Sequence, residues 1–356
     1  MDSPRTAPRI LVVGCGGIGG VLLSRLLESG RKVSAVARRE EIAQVLRTRG
    51  PVLRDTKGER TVRGELEVFV QPPADGAYDF LLLATPPTGV EEAARDTAHL
   101  LAPGGAMAVL PNGLCEERVA ALVGEERVIG TIVAWGASSP ATGVYEQTAV
   151  GGMVLGTLRG EPDARLERLA EVLRAVGPVD FTTNLRGARW SKLGINCAIS
   201  TLGTVGGSRL GPLLRHRFIR ELALEIFTEV VQVARAEGVK LEKVASSLGL
   251  DWLALSDSER HARGSPSLVL KHAALLAVGL RYRRMRSSML AAIERGREPP
   301  VDFLNGEVVR HARTHGLAVP VNEQLLEAVH ALARRQLTPG VQTLRRIHER
   351  TRPTRA

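Results

Sequence analysis

Hydrophobic positions change their period once along the chain. In the first half, short β-branched or leucine-rich runs alternate with amphipathic stretches, the pattern of a parallel sheet with crossover helices. ILVVG (Ile10 to Gly14) predicts a buried strand, and VLLSRLLESG (Val21 to Gly30) a helix stopped by glycine. VSAVAR (Val33 to Arg38), FLLLAT (Phe80 to Thr85), AMAVLPNG (Ala106 to Gly113) and VIGTIVAWGA (Val128 to Ala137) continue the strand series. Alternation from Pro51 to Val70, around Lys57-Gly58, predicts a hairpin inserted in that sheet. A last alternating patch, VYEQTA to MVLGTL, precedes a helix near Asp163 to Val176. After Asn184 the strand-like runs stop and helical periodicity takes over, as in FIRELALEIFTEVVQVARAEG, Phe218 to Gly238.

The expected fold class is therefore α/β: an N-terminal Rossmann-type domain with a parallel sheet over residues 1–184, then an all-helical domain over 185–342. A basic tail, 343–356, is expected to fray. The connection near Thr182 to Gly187 is short and polar, so the two domains are expected to pack directly and leave a cleft. The segment from Leu250 to Arg286 reads as an extra helical piece covering it.

Length agrees, because 356 residues exceed what one hydrophobic core usually organises, about 250 to 300. The longest apolar runs fall short of a bilayer span, and MDSPRTAPRI has no apolar signal core, so a cytoplasmic protein without membrane contact is expected. Three separated cysteines, Cys15, Cys115 and Cys197, argue against a disulfide framework and against a metal site. The net charge of +10 raises nucleic acid as a partner. With only 3% aromatic residues there is no base-stacking platform, and the clusters RYRRMR and RRIHERTRPTRA do not make one. Nucleic-acid binding is not expected as the main role, and an anionic small molecule would use a few of these charges equally well.

Gly14-Cys15-Gly16-Gly17-Ile18-Gly19 fits G-x-G-x-x-G between a predicted strand and a predicted helix, where a dinucleotide-binding turn belongs. A glycine-rich turn without ligand is the plainer alternative. At the end of the second strand, where an acid usually bonds the ribose of NAD, stands Arg38, followed by Arg39. A guanidinium can clamp a 2′-phosphate, which favours NADP (as NADPH). The alternative leaves Arg38 as a solvated strand end, with Glu40 or Glu41 in the acidic role. In RWSKLGINCAIS, Lys192, Asn196 and Ser200 fall four residues apart on one helical stripe, with Leu193, Ile195, Cys197, Ile199 and Leu202 around them. Unlike a lone snorkelling lysine, a lysine on such a buried helix needs a partner or a cleft to face.

These motifs, with LPNG, the SSML of Ser287 to Leu290, and VDFLNGEVVRHARTHGLAVPVNE, resemble the ketopantoate reductase (2-dehydropantoate 2-reductase) family from about Ile10 to Leu326. The resemblance implies NADPH-dependent reduction of 2-dehydropantoate to D-pantoate in pantothenate biosynthesis, and a helical domain of the 6-phosphogluconate-dehydrogenase-like type. It implies Lys192 as the catalytic residue. Asn196, Ser200, Ser288 and Asn112 are then substrate contacts. The turn residues Gly14, Cys15, Gly16, Gly17, Ile18 and Gly19, with Arg38, Thr85 and Asn112, form the cofactor set.

Three positions depart from the family pattern. Pro86 replaces a lysine after FLLLAT, Ser200 replaces an asparagine, and Pro300 replaces the glutamate that binds the substrate hydroxyl. Glu298 lies two positions earlier and is the candidate substitute. The departures keep open a same-family reductase of another 2-keto acid or D-2-hydroxy acid, and further off a non-catalytic NADP-binding protein. A homodimer through the helical domain also stays open.

Overall fold

The β-branched runs form strands because each can be buried on both faces beneath helices. The computed structural model describes residues 7–161, 163–243, 248–261 and 265–351. Two compact units divide it, Met1–Leu185 and Arg186–Ala356. Residues 1–6, the first part of the MDSPRTAPRI stretch that lacks an apolar signal core, lie outside the described residues, as do 162, 244–247, 262–264 and 352–356.

The first unit runs β1 (Ile10–Val13), α1 (Gly17–Glu28), β2 (Val33–Val36), α2 (Glu40–Arg49), β3 (Val52–Asp55), β4 (Gly58–Thr61), β5 (Leu66–Phe69), β6 (Tyr78–Leu83) and α3 (Val90–Thr97). It continues with β7 (Leu101–Val109), α4 (Cys115–Val123), β8 (Val128–Val133), β9 (Gly136–Ala141), β10 (Val144–Ala149), β11 (Met153–Thr157), α5 (Ala164–Leu173) and β12 (Val179–Phe181). The main sheet has the order β12-β11-β8-β7-β6-β1-β2-β5 and is parallel from β5 through β8. Successive strands go one way from β1 to β2 and the other way from β6 to β8. The order therefore reverses between β1 and β6, the switch point at which open α/β sheets bind ligands.

The predicted hairpin exists, as β3 and β4 paired antiparallel, but it is not in the main sheet. It joins β10 and β9 in a separate four-stranded sheet through parallel pairing of β3 with β10. This second sheet covers α1 so closely that a Cβ on Gly20 would overlap the buried Tyr145 ring. Arg25 of α1 adds polar ties, donating to Asp55 at 2.7 Å and to Gln147 at 2.9 Å.

Among its described residues the second unit forms helices joined by turns and no strand. It contains α6 (Leu185–Val205), α7 (Leu210–Leu214), α8 (Arg217–Ala236), α9 (Leu250–Leu253), α10 (Asp257–His261), α11 (Pro266–Arg281), α12 (Ser288–Glu294), α13 (Asn305–Thr314), α14 (Pro320–Ala333) and α15 (Val341–Thr351). The basic tail is corrected here: its first nine residues lie in α15, with Thr343, Leu344 and Ile347 buried at helical spacing. Arginines on the other side of that helix mask its apolar stripe in the sequence.

A buried polar chain crosses this unit. The Glu229 carboxylate of α8 accepts from the Val321 and Asn322 backbone N–H groups, at 2.8 and 2.9 Å, and from Asn322 Nδ2 at 2.6 Å. It thereby caps the start of α14. Asn305 Nδ2 donates to Asn322 Oδ1 at 2.9 Å, and Thr201 of α6 donates to Asn305 Oδ1 at 2.6 Å. Burial pushes the Glu229 carboxyl up to about 7, against the hydrogen bonds that favour its ionised form.

Candidate functional site

Four sequence-predicted residues follow four adjacent parallel strands in spatial order. Asn112 comes after β7, Thr85 after β6, Gly14 after β1 and Arg38 after β2. Strands lie about 4.8 Å apart, so these residues line roughly 14 Å of the carboxyl edge, across the switch point.

The turn between β1 and α1 is built by close approach. Gly14 has φ of +101°, which L side chains avoid, and a Cβ there would stand 3.0 Å from the Thr85 nitrogen. A Cβ on Gly19 would overlap the Gly14 carbonyl oxygen, so helix and strand pack this tightly only with glycine. Gly16 differs: a Cβ there would meet nothing within 4 Å. As the N-cap of α1 it offers no side-chain oxygen to the first-turn N–H groups, which is the arrangement of an anion-binding helix start. Beside it, the buried Thr85 Oγ1 has no hydrogen-bond partner. An open cradle, uncapped amides and an orphaned hydroxyl together fit the pyrophosphate of a dinucleotide.

Other members of the predicted cofactor set take different places. Ile18 packs against the core, and the Cys15 thiol is buried beneath the turn, within 3.7 Å of the Val36 carbonyl oxygen. Burial pushes that thiol up to about 12, so Cys15 can serve a ligand through its backbone alone. Arg38 is half exposed and already faces acids of α3, with Glu92 at 2.9 Å and Asp96 at 3.9 Å. Asn112 is exposed beyond β7 and its carbonyl oxygen accepts from the Cys115 thiol at 3.5 Å.

In the helical unit, α6 carries Lys192, Asn196 and Ser200, all half buried, with Ile195 and Ile199 beside them. Trp190, Leu193, Cys197 and Leu202, which flank this stripe on the same helix, are fully buried. Asn196 Nδ2 is out of water without an acceptor, which costs about 1 to 3 kcal/mol unless something binds there.

The helix start of α12 is fastened to this one. Ser287 Oγ lies 2.8 Å from Thr204 Oγ1 and donates to the Ser200 carbonyl oxygen at 2.9 Å, while also capping the Leu290 N–H. Ser288, the residue expected to touch substrate, is exposed in the first turn of α12. Sequence reasoning missed Ser287 and Thr204 as the pair that positions it; the doubled serine of SSML was the available signal. Glu298 is exposed, and Pro299 behind it is buried and extended. The chain turns from there into the short 3-10 segment Pro300–Phe303.

Among the described residues, no cluster of His, Cys, Asp or Glu could hold a metal ion and no helix is long and apolar enough to cross a membrane. The three cysteines are buried and form no disulfide with one another.

Known proteins agree with this architecture. The family model described as ketopantoate reductase PanE/ApbA matches residues 10–160, and its C-terminal counterpart matches 184–333. Among curated relatives, the uncharacterized oxidoreductase YkpB of Bacillus subtilis (strain 168) is 26% identical, over 91% of this chain and 97% of its own. The 2-dehydropantoate 2-reductase of Pyrococcus abyssi is 22% identical, over 88% of this chain and 94% of its own. Among solved structures, a PanE/ApbA family ketopantoate reductase from Ralstonia eutropha JMP134 superposes with a TM-score of 0.76 at 24% identity, covering 92% of this chain and 99% of that one. D-Mandelate dehydrogenase, solved with NADH and anilino(oxo)acetate, gives a TM-score of 0.76 at 21% identity, with coverage of 92% and 98%. With both of its halves matched by the family's models, the chain is an oxidoreductase belonging to the ketopantoate reductase PanE/ApbA family.

Proposed function

We propose that this protein reduces a 2-keto acid at the expense of NADPH, with 2-dehydropantoate as the substrate and D-pantoate as the product of a pantothenate-forming step. The observation that carries the reading is the polar stripe of α6, above all the buried Asn196 Nδ2, a donor without an acceptor that a keto acid's oxygen would satisfy.

Bound NADPH supplies the hydride. The Gly14–Gly19 turn and Thr85 would hold the pyrophosphate, with Arg38 at the 2′-phosphate and Asn112 toward the nicotinamide. Lys192, as an ammonium, polarises the keto oxygen and gives it a proton as the alkoxide forms, a role typically worth about 10² to 10⁴-fold. Asn196 holds the same oxygen or the ammonium in place without carrying the proton. Ser288 and Ser200 offer hydroxyls to the substrate carboxylate. Buried cysteines kept as thiols suit a reducing compartment, so we place the protein in the cytoplasm.

A second reading, a same-family reductase of another 2-keto acid, is favoured by one feature. Pro300 stands where the family's resemblance calls for a glutamate, and Glu298 is exposed ahead of the buried Pro299. Following loss of NADPH absorbance with ketopantoate beside a panel of aliphatic and aromatic 2-keto acids separates the two. Preference for ketopantoate supports the first reading. Turnover confined to another acid supports the second, and no turnover with any acid removes both.

A further inference from the structure

Helix α3 carries more acid than its own stability calls for. Glu91 and Glu92 stand in its first turn, where the helix dipole favours carboxylates. Asp96 is its next-to-last residue, where the same dipole opposes one. Glu91 accepts from Arg118 at 3.1 Å. Glu92 and Asp96, four residues apart on one stripe, both turn to Arg38: its Nη1 donates to Glu92 at 2.9 Å and its Nη2 lies 3.9 Å from Asp96. All three side chains are about half exposed, and an ion pair in contact with water adds little to stability. Folding alone therefore gives no reason for two carboxylates to converge on one guanidinium.

Their place on the sheet supplies one. Arg38 follows β2 and α3 follows β6, with β1 and its glycine turn between them. Neighbouring strands lie about 4.8 Å apart, so the bridge spans roughly 10 Å of the carboxyl edge, beside the turn that fits a pyrophosphate. The ribose next to the adenine of a dinucleotide reaches the end of the second strand in this topology. A 2′-phosphate arriving at Arg38 therefore enters beside Glu92 and Asp96. The acids oppose it twice over, because they occupy donors that the phosphate needs and their charge repels its own. The loop from β6 to α3, Thr85 to Gly89, contains no cation to offset them. NADH meets no such opposition, since its ribose presents neutral hydroxyls from which a carboxylate can accept.

We propose that Glu92 and Asp96 are specificity-determining residues that compete with the 2′-phosphate of NADPH for Arg38 and so narrow the preference for NADPH over NADH. The competition presupposes the 2′-phosphate at Arg38, as proposed for this site. An exposed ion pair shifts an equilibrium by up to about fivefold, and relief of repulsion adds to that, so Glu92→Gln should tighten NADPH about 3- to 10-fold. Adding Asp96→Asn should tighten it further, while NADH stays within about twofold of the parent. Because the effect is one of charge, the gain should shrink between about 0.1 M and 1 M salt, as the Debye length falls from about 10 Å to about 3 Å.

Fluorescence titration of NADPH and of NADH into the full-length parent, Glu92→Gln, the Glu92→Gln Asp96→Asn double variant and Arg38→Ala tests the proposal, with thermal unfolding to verify that each protein folds. The expected result is a ratio of NADPH to NADH affinity that rises from parent to single to double acid variant and falls in Arg38→Ala. A ratio unchanged in both acid variants, while Arg38→Ala loses NADPH, overturns the competition and leaves the role of Arg38 standing. NADPH affinity that falls in the acid variants overturns it in favour of acids that hold Arg38 ready for the phosphate. If Arg38→Ala binds NADPH like the parent, the placement of the 2′-phosphate fails and the competition fails with it.

Discussion

Two alanine substitutions separate the packing of the glycine turn from its chemistry. Gly16 has φ of −80° and ψ of −164°, a conformation any residue adopts, and its Cβ would meet nothing within 4 Å. Gly16→Ala therefore leaves stability within about 0.5 kcal/mol of the parent. The added methyl enters the space through which the backbone would approach a pyrophosphate. Losing one charge-assisted hydrogen bond, worth about 1.5 to 3 kcal/mol, corresponds to roughly 10- to 200-fold weaker NADPH binding. Gly19 is the opposite case. A methyl there overlaps the Gly14 carbonyl oxygen, and because that atom is backbone, α1 must shift against β1. Overpacking of this sort costs about 1 to 3 kcal/mol, and at 2 to 4 °C per kcal/mol for a domain of this size the melting temperature falls by roughly 2 to 12 °C. Thermal unfolding without cofactor, paired with fluorescence titration of NADPH, reads both effects. If Gly16→Ala bound NADPH like the parent, the open space beside the turn would not be the phosphate cradle.

Further expectations concern single side chains. Asn196→Ala removes a buried donor that has no acceptor, so the melting temperature should hold or rise while kcat/KM drops about 10-fold or more; a large loss of stability would show that the amide is structural. Arg38→Ala should weaken NADPH at least about 10-fold and leave NADH nearly unchanged, and equal loss of both would remove the 2′-phosphate role. Burial would raise the Glu259 carboxyl, yet hydrogen bonds from Lys271, the Ser256 N–H and Ser267 hold it down at about 2. Its unfolded value is near 4.3, so this stabilisation is complete above that pH and is lost as the pH falls toward 2. Thermal unfolding between about pH 5 and pH 3 should show a steeper decline in the parent than in Glu259→Gln, and parallel declines would contradict it.

What could be read from the chain follows from where the information is local. Strands β1, β6 and β8 are short apolar runs buried on both faces, and the turn after β1 is written in contiguous glycines, so sheet and candidate cradle were both legible. Strand β9, GASSPA, has no large apolar residue and is partly exposed; its pairing with β10 is held by backbone bonds that leave no side-chain pattern. The same limit sent the β3–β4 hairpin to the wrong sheet, because its parallel partner β10 lies about 90 residues away and register over that distance has no local signature. On α6 the stripe was visible through its four-residue spacing. The fastening of α12 through Ser287 and Thr204 was not, since a hydrogen bond between residues 83 apart needs the fold to bring them together. Helix α15 shows a masking effect: three buried positions sit among arginines, and charge dominates the reading of so short a segment.

The proposed mechanism assigns the proton chemistry of a keto-acid reduction to Lys192. Single-turnover and steady-state rates of NADPH oxidation, measured for the parent and for Lys192→Ala with the best keto acid of the panel, test it most directly alongside NADPH titration of both proteins. Turnover of Lys192→Ala should fall by about 10² to 10⁴-fold with NADPH affinity unchanged. Turnover that survives the substitution would contradict it and move the general acid elsewhere.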